Sequence, residues 1–597
     1  MYRAPLKDLS FVLNELLGPQ PLSGCPAHAE YSADLADSVL SESARFAEGV
    51  LDPINRSGDQ EGARWSENGV VSASGFRQAY QQFVADGWPQ LRASTHIGGQ
   101  GAPLLLATAV QETWASANLS FKLCPMLTYG AIHALELTAA PDLKKKYLPR
   151  MVSGEWSGTM VLTEPQAGSD LALIRTRAVP QGGDLAVDEF RLFGQKIFIT
   201  WGEHDLTDNI IHMVLARIEG APEGVRGISL FLVPKVLVNE QGELGHRNDL
   251  RCVSIEHKLG IHGSPTCVMS FGEHEGAVGY LVGEANRGLE YMFIMMNAAR
   301  LAVGLEGYSV AERAFQQAAD YARTRLQGRS SASGKSGSSG AIIHHPDVKR
   351  MLLEMKAGTE AMRALTLYAA WQLDLAESHA DSTVRVQAQA QGDLLIPIVK
   401  GWCTEFGIEL ASTGIQVHGG TGFIEETGAA QWLRDVRITA IYEGTTGIQA
   451  NDLLGRKIMR DNGAAMMTLL AQIENELAVE ARLPATEGVR AEALAGIRLL
   501  REATTKLLGL GASDMDRALS VAVPYLMMCG FALGGWLMAR AARLVTAERA
   551  AAGREFNAAK LATARAYVGR LLPRALSYGQ MILKGSDSVA GVDAALI

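Results

Sequence analysis

The spacing of apolar residues divides the chain into four stretches. Helical spacing in 35–50 and 76–84 predicts an N-terminal helical domain, and short alternating runs from about Trp156 to Leu281 predict a central antiparallel β domain. Helical spacing returns at Gly288, and an alanine- and leucine-rich helical block follows Asp461. The pattern predicts an α+β fold, mostly α. The predicted domains are 1–157 (N-terminal helices), 158–283 (β domain), 284–460 (C-terminal helical bundle) and 461–597 (an extra helical domain).

One apolar segment allows two interpretations. Residues 519–539 carry no charge, and Gly530 and Gly534 have GxxxG spacing, so the segment is long enough to cross a bilayer. We interpret it as a buried central helix whose glycines permit close helix contact, because a single membrane span would isolate the polar helix that follows. Peripheral membrane contact stays open as an alternative. Separately, the Ser/Gly-rich stretch 330–340 predicts a flexible surface loop.

Composition and charge exclude several classes of protein. Apolar residues make up 47% and charged residues 20%, which is typical of a soluble enzyme. The net charge of -9 argues against a nucleic-acid partner. The six cysteines are scattered singly and the first residues show no export pattern, so we expect reduced thiols in the cytoplasm. No metal-ligand cluster and no Ser/His/Asp arrangement stands out, so the sequence supports neither a metal site nor hydrolysis.

The first candidate for chemistry is the run Leu162-Thr-Glu-Pro-Gln-Ala-Gly-Ser-Asp, which closes the first predicted strand of the β domain. Thr163, Gly168 and Ser169 offer hydroxyls and backbone N–H groups from one short loop. A flavin ring edge and a phosphate both need such donors, because each carries acceptors around a rigid perimeter. Read alone, the run fits an ordinary turn better.

The second candidate is Gly194-Gln-Lys-Ile-Phe-Ile-Thr, a strand thirty residues further on. A two-residue period places Phe198 and Thr200 on one face. An aromatic plane beside a hydroxyl suits stacking on a flat ring and bonding to its nitrogen edge. A half-buried strand is the simpler interpretation of this segment by itself.

The third candidate is a lone carboxylate, Glu443, which follows an apolar run and precedes Gly444. Partial desolvation raises the proton affinity of such a group and makes it a useful base. Gly444 removes side-chain bulk where a ligand could approach. The alternative is a helix N-cap region in which Thr445 or Thr446 caps the helix that starts near Gly447.

Two further segments carry weaker signals. The glycine-rich turn from Gln416 to Gly420 lacks GxGxxG spacing, so it is not a Rossmann dinucleotide loop. Arg323 and Arg325 stand at a predicted helix end, where a guanidinium could clamp a diphosphate.

Taken together and in this order, these segments resemble the acyl-CoA dehydrogenase family over approximately residues 30–460. The additional N-terminal piece and the block after Asp461 resemble the longer bacterial branch, which includes 3-methylmercaptopropionyl-CoA dehydrogenases and enzymes of ordinary medium and long acyl chains. Pro346 stands where relatives commonly carry glutamine. The resemblance implies FAD as cofactor, a four-helix bundle as the third domain, and at least a homodimer.

The resemblance also assigns roles to particular residues. Glu443 matches the catalytic base. The implied FAD-binding residues are Leu162, Thr163, Ser169, Phe198, Thr200, Arg325, Gln416, Gly419, Gly420 and Thr445, with Gln416 to Gly420 lent to the neighbouring subunit's cofactor. The implied substrate-binding residues are Ser169, Asn297, Arg300 and Gly444.

The implied reaction is α,β-dehydrogenation of an acyl-CoA thioester. The Glu443 backbone N–H and a ribityl hydroxyl bond the thioester carbonyl, Glu443 takes the α proton, and the β hydrogen leaves as hydride to flavin N5. The products are a trans-2-enoyl-CoA and electrons for an electron-transferring flavoprotein. Two alternatives stay open at this point: an acyl-CoA oxidase that uses dioxygen, and an inactive flavoprotein relative with a binding or stress-response role.

Overall fold

The computed structural model describes residues 1–181, 189–329, 340–479, 483–546 and 553–597. The core of the predicted Ser/Gly loop, 330–339, lies outside the described residues. The described chain forms two compact units. The helical unit consists of residues 1–44, 104–116 and 303–597, and the sheet unit consists of 45–103 and 117–302.

All strands found in the described residues belong to the sheet unit. They are β1 (Arg64–Ser66), β2 (Gly69–Val71), β3 (Trp156–Val161), β4 (Arg177–Pro180), β5 (Glu189–Thr200), β6 (Asn209–Ile218), β7 (Ile228–Pro234), β8 (Val236–Val238), β9 (Leu244–Arg247), β10 (Leu250–Ile255), β11 (Thr266–Phe271) and β12 (Ala277–Leu281). The main sheet has eight strands in the order β10-β11-β5-β12-β7-β6-β3, with β4 paired to β5 and β6. The β1–β2 hairpin was missed by the sequence pattern.

Strands β6 and β7 of the main sheet are buried on both faces, which explains their continuous apolar runs. Along β6, Met213 and Leu215 pack into one apolar cluster, and Val214 and Ala216 pack into the other. Alternate side chains of a strand point to opposite faces, so a strand covered on both sides has to be apolar throughout.

The expected antiparallel β domain is confirmed, with one refinement. Strands β3 and β4 each run parallel to β6. Antiparallel strands can be joined by tight turns, whereas parallel neighbours need a longer crossover, and the chain between β3 and β6 provides one. Sequence alternation carries no information about strand direction.

The helices are α1 (Leu6–Phe11), α2 (Ala33–Phe46), α3 (Asp52–Glu61), α4 (Phe76–Ala85), α5 (Leu104–Ala117), α6 (Leu119–Thr138), α7 (Pro141–Val152), α8 (Gly288–Thr324), α9 (Pro346–Ser378), α10 (Ser382–His418), α11 (Ala429–Val436), α12 (Thr446–Asn451), α13 (Ala464–Val479), α14 (Glu487–Ser513), α15 (Met515–Leu519), α16 (Ala522–Thr546), α17 (Arg554–Ala566), α18 (Pro573–Gly585) and α19 (Asp587–Ala590). Wider π-helical turns extend some of them, at Val12–Leu16, Ala47–Leu51, Asp452–Met459 and Tyr567–Leu571. The predicted α+β class with a helical majority is confirmed.

Helix α16 contains the uncharged segment. Within the described ranges it is the single helix long and apolar enough to cross a membrane, and 89% of its most apolar window is buried. A Cβ added at Gly530 would lie 2.1 Å from the Trp402 ring, and one added at Gly534 would lie 2.4 Å from the Tyr567 hydroxyl. The glycines therefore allow close contact with helical neighbours, as expected of a buried core helix.

Candidate active site

The loop after β3 is organised by a buried ion pair. Glu164 and Lys196 lie 2.9 Å apart and are 3% and 0% exposed. The Glu164 carboxylate also accepts hydrogen bonds from the backbone N–H groups of Arg175 and Thr176. Lys196 donates a second bond, 2.8 Å long, to the Leu162 carbonyl. The pair therefore fixes the backbone on both sides of Thr163, at Leu162 and at Glu164.

Each partner changes the pKa of the other. Burial opposes ionisation of Glu164, but Lys196 and hydrogen bonds from Thr176 and the Arg175 amide lower its pKa to about 2. Burial lowers the pKa of Lys196 to about 8, and the nearby Glu164 limits that decrease. Both groups are charged at neutral pH.

Phe198 is presented by a β-bulge. Ile199 pairs with Cys267, and Lys196 pairs with Met269, so two residues of β5 stand opposite one residue of β11. Phe198 has a φ of 60°, in the left-handed region, and is 58% exposed. Bulges redirect side chains and are frequent beside active sites. The bulge also interrupts the strict two-residue alternation that the sequence pattern assumed.

The end of β5 is anchored at Thr200 and at the residue that follows it. The Thr159 hydroxyl donates to the Thr200 carbonyl at 2.7 Å. Trp201 also has a left-handed backbone, with a φ of 52°, and its buried indole donates to the Ser120 carbonyl at 3.2 Å. The exposed Phe198 ring thus sits on a rigid strand end.

Asn297 and Arg300 are neighbours on α8, inside the sheet unit. Arg300 is buried and donates to the Asn297 amide oxygen at 3.4 Å. Its guanidinium also lies 5.8 Å from the centre of the Phe293 ring. Their roles in substrate binding stay predictions.

Glu443 lies in the helical unit, in a short turn before α12. It is half-buried and has a φ of 56°, and Gly444 follows with a φ of 90°. A left-handed non-glycine residue costs about 1–2 kcal/mol and is typical of functional sites. The Thr445 hydroxyl accepts from the Ile448 N–H, so the N-cap interpretation of this segment is confirmed, and the role of Glu443 as a base stays a prediction.

The residue before Glu443 is fixed by a buried acid. The Tyr442 hydroxyl donates to the carboxylate of Glu306, which is fully buried. Burial and the negative charges of Glu306 and Glu443 raise the pKa of Tyr442 well above its usual value. Tyr442 therefore stays a neutral hydrogen-bond donor.

The helical unit also brings the end of α8 next to the glycine-rich turn. The rings of Tyr321 and His418 are in contact, with centres 4.6 Å apart and planes tilted by 30°, which joins the end of α8 to the end of α10. Arg325 follows α8 directly and is exposed, as are Gln416, Gly419 and Gly420. An exposed guanidinium and a bare glycine turn are compatible with a diphosphate ligand.

The structure thus groups the predicted residues within each unit. The sheet unit holds Leu162, Thr163, Ser169, Phe198, Thr200, Asn297 and Arg300, and the helical unit holds Arg325, Gln416, Gly419, Gly420, Glu443, Gly444 and Thr445. Sequence reasoning missed Glu164 and Lys196, although a charged residue inside an otherwise apolar strand is a signal of a buried ion pair.

We expect Lys196→Met to destabilise the sheet unit by about 3–5 kcal/mol, because it leaves the Glu164 carboxylate buried without its cation. Thermal unfolding followed by circular dichroism measures the loss. The double variant Glu164→Gln, Lys196→Met removes both charges and should recover most of the stability. Equal unfolding temperatures for the single and double variants would contradict this role of the pair.

Family models match nearly the whole chain. The acyl-CoA dehydrogenase N-terminal, middle and C-terminal domain models match residues 38–155, 159–273 and 286–458, and an acetyl-CoA dehydrogenase C-terminal-like model matches 469–593. The chain belongs to the acyl-CoA dehydrogenase family. It is an FAD-dependent oxidoreductase.

Two relatives are similar to this chain over almost the full length of both proteins. A 3-methylmercaptopropionyl-CoA dehydrogenase of Ruegeria pomeroyi is 46% identical over 98% of this chain and 99% of its own length. A broad-specificity linear acyl-CoA dehydrogenase of Mycobacterium tuberculosis is 33% identical over 100% of this chain and 99% of its own. The family and the resemblance to the long branch are therefore confirmed.

Solved structures share the fold. ACDH-11 of Caenorhabditis elegans, in complex with C11-CoA, superposes with a TM-score of 0.77 at 21% identity and covers 96% of this chain and 92% of its own. An acyl-CoA dehydrogenase from Bacillus anthracis complexed with FAD superposes with a TM-score of 0.75 at 19% identity. The match covers 95% of this chain and 90% of the other. In the present chain, Phe198 is exposed and the preceding Ile197 N–H bonds to the Thr163 carbonyl, so an exposed aromatic ring follows the point where β5 meets the Thr163 loop, an arrangement compatible with a flat ring that has a polar edge.

Proposed function

We propose that this acyl-CoA dehydrogenase oxidises 3-(methylthio)propanoyl-CoA to the corresponding trans-2-enoyl-CoA. The observation that carries the proposal is the 46% identity, over almost the full length of both chains, to a relative named for that substrate. Relatives named for linear acyl-CoA and butyryl-CoA are less similar, at 33% and 34% identity. Ordinary medium or long acyl chains are the alternative substrates.

Glu443 is the base in this proposal. Its carboxylate takes the proton from the carbon next to the thioester, while its backbone N–H holds the thioester carbonyl, where negative charge develops. Bound FAD supplies the acceptor for the β hydrogen and its electron pair. The residues proposed to hold FAD are Thr163, Phe198, Thr200 and Arg325, together with the Gln416–Gly420 turn.

The remaining partners are also proposals. We propose an electron-transferring flavoprotein as the electron acceptor, because the two full-length relatives are named dehydrogenases and not oxidases. A homodimer is supported by Phe423 and Ile424, which are 84% and 51% exposed directly after the glycine-rich turn. A cytoplasmic location is supported by the six cysteines, which are all buried and free of disulfides.

A panel of CoA thioesters tests the substrate. Pentanoyl-CoA is the matched control, because it replaces the sulfur of the methylthio chain with a methylene. We expect the highest kcat/KM for 3-(methylthio)propanoyl-CoA, a smaller value for pentanoyl-CoA, and a loss of roughly tenfold or more for octanoyl-CoA, since each misplaced methylene weakens a fitted pocket. A preference for octanoyl-CoA would overturn the substrate assignment.

The same assay identifies the electron acceptor. Turnover should require an electron-transferring flavoprotein or an artificial acceptor, with little hydrogen peroxide formed under air. Rapid peroxide production without another acceptor would instead identify an oxidase. Absence of flavin reduction by every thioester would favour an inactive relative.

A further inference from the structure

The backbone around Glu443 is held by side chains from three different helices. Glu443 and Gly444 both adopt left-handed conformations, with φ values of 56° and 90°. Hydrogen bonds hold the carbonyls of both residues, and all of the donors belong to the helical unit. A strained turn persists only where its surroundings over-determine it.

Gln449 holds the first carbonyl. This residue lies in the first turn of α12 and is completely buried, and its side-chain amide donates to the Glu443 carbonyl at 3.0 Å. A Cβ at Gly444 would lie 2.7 Å from that amide nitrogen, so the glycine makes room for Gln449. The Gln449 amide oxygen is buried and has no hydrogen-bond partner among the described residues.

Lys400 holds the second carbonyl. It lies in the middle of α10 and is completely buried, and its ammonium donates to the Gly444 carbonyl at 2.6 Å. Burying a charged group and an unsatisfied amide oxygen are both costly, and apolar side chains of similar volume would avoid the cost. Packing alone therefore does not explain either residue.

The turn is fixed at its ends as well. Before Glu443, Tyr442 donates to buried Glu306, and after it the Thr446 hydroxyl donates to Glu405 at 2.5 Å. The backbone between these two points carries the Glu443 side chain and limits where its carboxylate can lie. The two carbonyl bonds fix that backbone.

We propose that Gln449 and Lys400 are positioning residues for Glu443, which together hold its backbone so that the carboxylate reaches the α proton of the substrate. The inference rests on the proposed function, in which Glu443 is the base. A displacement of about 1 Å at a catalytic group costs up to roughly a hundredfold in rate. Loss of either bond should act on proton removal and leave FAD and CoA binding intact.

The experiment compares Gln449→Leu and Gln449→Met with the wild-type holoenzyme. We expect the single-turnover rate of flavin reduction by substrate to fall about tenfold to a hundredfold per bound FAD. The Kd values of FAD and substrate should change less than threefold. The unfolding temperature should change little, because each variant removes the unsatisfied amide oxygen but also leaves the Glu443 carbonyl without its donor.

A second readout isolates the proton step. 3,3-Dimethylbutanoyl-CoA has α protons but no β hydrogen, so its α-proton exchange in D2O, followed by mass spectrometry, reports proton removal without hydride transfer. Exchange per bound FAD should fall in parallel with flavin reduction. A purely structural role would lower the amount of holoenzyme without changing exchange per bound FAD, and that result would overturn the proposal.

Lys400 provides a rescue test. Lys400→Arg keeps a cationic donor and should retain more exchange than Lys400→Met, which has none. Equal exchange in these two variants would overturn the role of Lys400. The Glu443→Gln variant distinguishes a wrong base from a wrong positioning role. Normal exchange in Glu443→Gln would mean that Glu443 is not the base. Loss of exchange in Glu443→Gln together with wild-type exchange in Gln449→Leu would mean that only the positioning role is wrong.

Discussion

Replacing Glu443 with glutamine should lower the rate of flavin reduction by substrate by roughly 10²- to 10⁴-fold, the usual contribution of a general base. Glutamine keeps the size of the side chain and its hydrogen-bonding atoms but cannot accept the α proton at neutral pH. The left-handed backbone and the bonds from Gln449 and Lys400 should persist, because they involve main-chain carbonyls. FAD should therefore remain bound at full occupancy.

Stopped-flow absorbance of the flavin measures this effect, with bound FAD quantified from the oxidised spectrum. Glu502→Gln is the matched control, since Glu502 is exposed on α14 and should have no effect on the rate. Glu443→Asp keeps a carboxylate but shortens it by one methylene, so it should be intermediate. Wild-type bleaching in Glu443→Gln would mean that another residue removes the proton.

Replacing Arg363 with methionine should destabilise the helical unit by about 3–5 kcal/mol. The Arg363 guanidinium is 1% exposed and donates to Asp8 at 2.6 Å, Glu112 at 2.6 Å and Glu312 at 2.9 Å. Removing it leaves three carboxylates buried with insufficient positive charge. The unfolding temperature should fall by roughly 5 °C or more.

The same cluster joins the two ends of the chain. Lys560 on α17 contacts Asp8 and, at 2.5 Å, Glu360. Although burial opposes ionisation, Lys560 and Arg363 hold the pKa of Asp8 well below its usual value. Burial raises the pKa of Glu112, and Arg363 limits that increase. The Arg363 variant should therefore loosen both the first helix and the last helical block.

Limited proteolysis and thermal unfolding test this prediction. Arg350→Met is the matched control, because Arg350 lies on the same helix α9 in partly exposed pairs with Asp347 and Glu354, and such pairs contribute about 1 kcal/mol or less. Arg363→Lys keeps the charge but loses the planar fork, so its effect should be intermediate. A loss no larger than that of Arg350→Met would show that the cluster does not stabilise the chain ends.

Much of the fold was predictable because its signals are local. The helical and strand patterns identified the order of helices, sheet and helices, and the GxxxG spacing identified the close contact at Gly530. The parallel direction of β3 and β4 and the bulge at Phe198 were not predictable. Both depend on which strands become neighbours, and alternation along one strand does not contain that information.

In the candidate site, too, local features could be predicted from the sequence and long-range contacts could not. The sequence by itself determined the family, the cofactor class and Glu443 as the candidate base, because these follow from short runs such as Tyr442-Glu-Gly-Thr whose residues are adjacent in the chain. Only the tertiary structure decided that Lys400, 44 residues before Gly444, bonds its carbonyl, and that Arg363 and Asp8 meet. Such long-range pairs form when packed helices bring distant residues into a low-dielectric interior, where unpaired charges and carbonyls are too costly to leave unsatisfied.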